Sequence, residues 1–188
     1  YVDQGYAIAE NRGAQSRAIG FVMTTYRKLA ASSSAAIVGA LRRRLAYLQG
    51  SELELVGGDL DEDARYEGEQ EQVEADRQQR TLGRLPFFAD EVEMLQGLII
   101  EGFNLLPADS KLGQLVNTLL PQLEAAREDE PALIFTEFRG TQEHIACALR
   151  ARNGDDCVAL LHGSMTHEER TAAVDAFNAG EVRFLVST

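Results

Sequence analysis

The sequence predicts an α/β protein, with a small parallel sheet of βαβαβ type preceded by an all-helical extension. Three observations carry this. Apolar residues recur at helical spacing between residues 14 and 48 and again from residue 87. At Ala132 the rhythm changes, and short apolar runs of strand length begin to alternate with helix-length segments. The apolar share is 45% of 188 residues, enough for a packed core. No apolar run approaches the roughly 18 residues that a membrane helix needs, so no membrane partner is expected.

In chain order, Ile19, Val22, Met23, Tyr26 and Leu29 share one face of a first helix. The run Ser32, Ser33, Ser34 breaks it and offers an N-cap to the next. That second helix carries a stripe of Ile37, Leu41, Leu45 and Leu48, with Arg42, Arg43 and Arg44 falling mainly off it. From Gly50 to about Thr81, dense acids, glutamines and the pair Gly57 and Gly58 leave little periodicity. This reads as a linker or insertion with a short helix near residues 69–80. Its acid run Asp61, Glu62, Asp63 has no buried strand before it and is rejected as a metal site. A helical pattern resumes with Phe88, Val92, Leu95, Leu98, Ile99 and Phe103, and Pro107 ends it. Asp109 stands at an N-cap position ahead of Leu112, Leu115, Val116, Leu119 and Leu123, and Pro121 should kink or shorten that helix.

Residues 132–136 suit a buried strand, and Thr141 to about Ala151 a helix with Ile145, Ala148 and Leu149 inward. Residues 158–161 form a second strand. Thr166 and Glu169 make a capping box for a helix that buries Ala173, Val174 and Phe177. Gly180 stops that helix, and residues 182–187 are the third strand. The expected organisation is a helical region 1–50, an acidic linker or insertion 51–86, helices 87–130 leading into the sheet, and the sheet region 131–188.

The net charge of −12 is unevenly spread. Residues 51–93 hold 14 acidic and 4 basic side chains, whereas residues 1–50 hold 2 and 7. The Arg42, Arg43, Arg44 triplet is open to two readings, a solvated helix face or a phosphate-contacting patch. Cys147 and Cys157 show no metal spacing and no disulfide framework. The N-terminus has no signal-peptide pattern, and a cytoplasmic origin is expected. The missing initial Met fits a piece cut from a longer chain.

In an open parallel sheet, ligands sit beyond the C-terminal ends of the strands. The strand tips here are residues 136–141, residues 162–164, and Ser187 with Thr188. They are rich in small and hydroxyl residues, and two lead into helix N-termini, which present free N–H groups and a positive dipole. By itself this specifies an anion or phosphate site. His162 and His167 have no third ligand spaced for a metal. Arg170 reads as a brace between helix and loop.

Residues 135–141, reading Phe-Thr-Glu-Phe-Arg-Gly-Thr, resemble motif IV of the second RecA-like lobe of superfamily-two helicases and translocases. His162, Gly163, Ser164 and Met165 with Arg170 resemble the following HG-x-x…R motif, and Val186, Ser187 and Thr188 the opening of motif V. Order and spacing agree, best over residues 109–188. Residues 21–33 and the arginine triplet resemble the helices between the two motor lobes of Swi/Snf-like bacterial ATPases. The resemblance implies that Thr188 touches a nucleic-acid backbone and that Gly163 allows a close approach. Thr136, Arg139 and Thr141 would line the same track, with His162, Ser164 and Ser187 beside them. For Arg139 an exposed ion pair is the alternative, and for His162 a hydrogen-bonded structural role. The implied partners are duplex DNA and an N-terminal RecA-like lobe. The implied cofactors are ATP and Mg²⁺ in the parent protein, whose cleft would close around them.

The departures are as informative. No G-x-x-x-x-G-K-[ST] occurs, no Walker-B strand is convincing, motif V stops at Thr188, and no arginine-bearing motif VI follows. The expectation is a severed motor lobe with no catalytic residues, no bound cofactor and no ATP hydrolysis of its own. Exposed sheet edges would favour self-association. The competing readings are a lobe of an RNA helicase, of a defence- or restriction-associated motor, or a non-catalytic interaction module built on helices 14–48 and 87–127.

Overall fold

Helix α2 (Ala14–Ser32) realises its sequence pattern directly: Ile19, Val22, Met23, Tyr26 and Leu29 are all 2% exposed or less. Full burial of side chains such as Val22 and Leu29 contributes about 1.5–3 kcal/mol each. These helices come from a computed structural model that describes residues 1–10, 13–51, 67–126 and 130–188. The acid run at Asp61–Asp63 and residues 52–66 of the expected linker therefore lie outside the described residues.

Helix α1 (Val2–Ala9) packs on α2. Ser33 turns the chain into an extended conformation and its hydroxyl accepts from the Ala36 N–H at 3.1 Å, capping α3 (Ser34–Gln49). Helix α3 packs against both α2 and α5 (Glu91–Leu105), so it is buried on two sides. This alters the expected single stripe. Leu41 is buried, but Ile37, Leu45 and Leu48 are only half-buried, while the small Ala36, Ala40 and Ala46 lie inside. On α5, Gly102 meets Val38 so closely that a Cβ there would collide with the valine methyl. Helix α4 (Glu67–Thr81) covers the short helix expected at 69–80. It buries Ala75 and joins its neighbours through polar contacts as well. Tyr26 Oη donates to Gln79 Oε1 at 3.3 Å, Lys28 pairs with Glu71, and Arg43 Nε with Asp76 Oδ2 at 3.3 Å.

The chain divides into two compact units, the helical one made chiefly of the residues up to Leu106 and the second chiefly of Pro107–Thr188. The second opens with α6 (Ser110–Gln114), capped as expected by Asp109, whose carboxylate accepts from the Leu112 N–H at 3.1 Å. A π turn over Leu115–Leu119 leads directly into α7 (Leu120–Ala126). Pro121 thus does not end the helix. It has no N–H and its ring crowds the carbonyl four residues back. The π turn, in which the Leu120 N–H reaches the Leu115 carbonyl, accommodates that misfit one turn earlier.

Three parallel strands follow: β1 (Ala132–Phe135), β2 (Val158–Leu161) and β3 (Phe184–Ser187), in the order β1-β3-β2. Ala132 and Val158 both stand opposite Phe184, and Phe135 and Leu161 opposite Ser187. The central β3 is buried along its whole length, as an apolar run between two neighbours requires. On the edge strand β1, Leu133 and Phe135 are 47% and 73% exposed. Two strands are shorter than expected, yet their ladders run on. Thr136 N–H donates to the Ser187 carbonyl at 2.9 Å and Arg183 N–H to the Cys157 carbonyl at 3.0 Å.

Helix α8 (Arg139–Asn153) starts two residues before the expected Thr141, and its Ala146 and Leu149 join Leu120, Val158, Phe184 and Val186 in the core. Helix α9 (His167–Asn178) packs against β2 and β3 and carries the full capping box: Glu169 N–H to Thr166 Oγ1 at 3.2 Å, Thr166 N–H to Glu169 Oε2 at 2.8 Å. Past it, Gly180 takes φ +74°, where a side chain would be strained. The architecture is α/β, a parallel three-stranded sheet after a helical region, consistent with a partial RecA-like lobe. Among the described residues, no helix is long and apolar enough to cross a membrane.

Candidate functional site

The three strand tips meet at the C-terminal end of the sheet. Backbone bonds fix this: Thr136 is tied to Ser187, and the Thr188 N–H donates to the Leu161 carbonyl at 3.0 Å. His162, Gly163 and Ser164 follow Leu161 directly. The Met165 N–H donates to the His162 carbonyl at 3.3 Å, closing a tight turn, and the His162 N–H reaches Met165 Sδ at 3.4 Å.

Side chains then link the first tip to the second. Arg139, the first residue of α8, donates from Nη1 to Ser164 Oγ at 3.1 Å, and Ser164 Oγ lies 3.0 Å from His162 Nδ1. A guanidinium can only donate, so the serine oxygen accepts and its hydroxyl proton is free to point at Nδ1. The imidazole then accepts at Nδ1 and is neutral. Its basicity agrees: burial, then the nearby Arg139, pushes its pKa down to about 4. Arg170 donates from Nη2 to the Gly163 carbonyl and so braces the loop to α9. Glu169, held by the Thr166 backbone N–H, has its carboxyl pKa lowered. Arg139 also pairs with Glu143 at 3.4 Å and keeps 31% of its side chain exposed.

The sequence-predicted residues are therefore distributed unevenly. Arg139, His162 and Ser164 form one connected group, with the buried Gly163 between the latter two. Thr136 and Thr188 are half-buried at the adjoining strand ends. Thr141 and Ser187 are each only 7% exposed, so neither side chain lines an open surface. The Thr141 N–H is taken up within the first turn of α8, on the Phe138 carbonyl at 3.0 Å.

The arginine triplet forms no single patch. Arg42 is exposed, 5.6 Å from the Phe103 ring centroid, and Arg43 is held by Asp76. Burial pushes the Asp76 carboxyl pKa up, against the pull of Arg43. Arg44 is fully buried: Nε and Nη2 grip Glu91 at 3.0 Å each, Nη2 also donates to the Leu85 carbonyl at 3.1 Å, and the Phe87 ring stacks 3.7 Å away. Glu91 further accepts from the Phe87 N–H at 2.5 Å and from Tyr1 Oη at 2.6 Å. Burial, more than its neighbours, raises the Tyr1 hydroxyl pKa. Both sequence readings, solvated face and phosphate patch, placed all three arginines outward, and the structure corrects that for Arg44.

The sequence reading passed over Gln142, which is fully buried behind the tips. Its Nε2 donates to the Leu161 carbonyl at 2.9 Å and to the Val186 carbonyl at 2.8 Å. One signal for it existed: Gln142 lies in line with Ala146 and Leu149 on the inward stripe of α8, a polar residue where an apolar one is expected.

The fit to MgATP is poor. The chain's lysines, Lys28 and Lys111, lie in α2 and α6, and neither follows a glycine-rich phosphate loop. Among the described residues, no group of three or more His, Cys, Asp or Glu could hold a metal ion.

Residues 108–188, which include all three tips, match the family model of the helicase conserved C-terminal domain. No curated protein and no solved structure was found to match the chain. The second unit is thus similar to a helicase-type C-terminal lobe, and the helical unit before residue 108 lies outside that match.

Proposed function

We propose that residues 108–188 serve as the second RecA-like lobe of a nucleic-acid-dependent ATPase, a Swi/Snf-like translocase on duplex DNA working in the cytoplasm. The observation that carries this is the Arg139–Ser164–His162 group at the strand tips, within the segment similar to helicase C-terminal domains. A cation on the first turn of a helix, with hydroxyls and backbone N–H groups beside it, suits a sugar–phosphate backbone. Thr136, Gly163 and Thr188 would complete the contact, and Thr141 and Ser187 would support it from inside. The helical unit ahead of the lobe supports the Swi/Snf-like subgroup over an RNA helicase.

ATP and Mg²⁺ would be held largely by a separate N-terminal lobe, since these residues do not fit them. Hydrolysis is therefore not expected from the 188 residues alone, with or without DNA. DNA-stimulated hydrolysis by this chain would overturn that part of the reading.

Binding tests the rest. Duplex DNA, duplex RNA and heparin are titrated against the chain over a range of salt. The expected result is a preference for duplex DNA, weakened about tenfold by Arg139→Ala with a salt slope shallower by about 1. Equal binding of heparin, or no effect of Arg139→Ala, would overturn the proposed interface. A preference for RNA would shift the reading to an RNA helicase lobe. The exposed Leu133 and Phe135 on the outer strand β1 also support self-association at high concentration. Sedimentation should show it, and Phe135→Ser should reduce it.

A further inference from the structure

We propose that Gln142 is a positioning residue: from α8 it staples the ends of β2 and β3 together and so sets the placement of all three loops. The loops' role as a nucleic-acid contact rests on the function proposed above, but the staple itself does not. Its geometry is specific. One amide nitrogen donates to carbonyls on two adjacent strands, Leu161 at 2.9 Å and Val186 at 2.8 Å. These are the residues immediately before His162 and Ser187. The orientation of the amide is fixed by chemistry, because both partners are acceptors and only the N–H₂ end can satisfy them.

Two further observations show that this side chain is not merely filling space. Gln142 is fully buried on the inward stripe of α8, where an aliphatic residue would avoid the cost of desolvating an amide. Its Oε1 is buried with no donor among the described residues, and an unmatched buried acceptor is unfavourable. The side chain thus meets a polar requirement at one end at the expense of the other. The Leu161 carbonyl also accepts the Thr188 N–H at 3.0 Å, so the staple and the last bond of the β2–β3 ladder share one acceptor. Arg139 lies one turn away on the same helix and holds Ser164. Through Gln142 and Arg139, a single helix start fixes the spacing of all three tips.

Amide hydrogen exchange by NMR on the full 188-residue chain tests this without any substitution. The Gln142 side-chain N–H₂ should exchange at least about tenfold more slowly than a solvated amide. Free exchange would overturn the staple. In Gln142→Met, of similar length with no amide, the Thr188 and Thr136 backbone amides, which close the ladders at the strand tips, should lose about tenfold in protection while Ala146 and Leu149 keep theirs. A uniform loss across the sheet unit would mean a plain packing role and would also overturn it. If Gln142→Met does not fold, the wild-type side-chain exchange decides alone. For duplex DNA, Gln142→Met should weaken binding with the salt slope unchanged, because no phosphate-contacting cation is removed. Unchanged affinity would overturn the link from the staple to the contact. Failure of the wild type to bind DNA would count against the proposed function and leave the exchange result standing.

Discussion

Arginine does opposite things in the two units. In the helical unit, Arg44 and Glu91 are both 0% exposed and hold each other in a two-bond fork. In the sheet unit, Arg139 keeps 31% of its side chain exposed, and its partners are a neutral hydroxyl and a Glu143 that is itself 59% exposed. A charge buried as deeply as Arg44 needs an opposite charge beside it, and Glu91 supplies that, so the guanidinium is not available to a ligand. A surface pair such as Arg139–Glu143 is worth about 0–1 kcal/mol, so a phosphate can replace it at little cost. The number of basic residues in a segment is therefore a poor guide to where an anion binds. The triplet at residues 42–44 is the densest basic run in the chain, yet its last member belongs to the core.

The largest effect should come from separating the two cases by substitution. Glu91→Ala strands the Arg44 charge and should destabilise the helical unit by about 3–5 kcal/mol. Arg139→Ala should change stability by no more than about 0.5 kcal/mol. Urea unfolding of both variants checks this, and equal losses would break the comparison. Replacing the pair together, as Arg44→Met with Glu91→Leu, should recover only part of the loss, because the Tyr1 hydroxyl and the Phe87 N–H still lose their acceptor. Gly102→Ala comes next, at about 1–3 kcal/mol, because its Cβ must push Val38 and with it α3 away from α5. Thr166→Ala removes the capping box of α9 and should cost about 1 kcal/mol, seen as a lower urea midpoint with an unchanged slope.

The smallest effect is a pH dependence in the sheet unit. The His162 pKa is about 4 folded against 6.5 for the free side chain, so between those values the unfolded chain takes up a proton that the folded one refuses. The stability associated with neutral His162 is complete above about pH 6.5 and is lost as pH falls toward 4. Glu169, whose folded pKa is lowered, adds a loss in the same direction below its ordinary 4.5. Comparing wild type with His162→Gln across pH 4–8 should show curves that differ in slope on the acid side and run parallel above pH 7. Parallel curves throughout would mean that His162 titrates normally.

Much of the fold was legible. The α2 stripe, the Ser33 and Asp109 caps, the Thr166–Glu169 box and all three strands follow from local spacing. The interface was legible only in part. Arg44 lies three residues after Leu41 and four before Leu48, and Gln142 lies in line with Ala146 and Leu149. In both helices a polar residue sat on the apolar stripe and was not recognised as buried. Local pattern can flag such a residue, but its partner is far away in sequence: Glu91 for Arg44, Leu161 and Val186 for Gln142. Thr141 was misplaced for another reason. The helix begins two residues earlier than read, which moves Thr141 from the helix entrance into its first turn and the buried side.

The strand order has a consequence for how this unit is made. β3 follows β1 and β2 in sequence but lies between them, so neither of the two has β3 to pair with until it arrives. During synthesis, Leu149, Val158 and Ile134 emerge from the ribosome long before Phe184 and Val186 can cover them. Every strand pairing closes over a long stretch of chain, which slows folding. The nascent sheet unit exposes its apolar strands until β3 has emerged, and that is the interval in which it is most prone to aggregate.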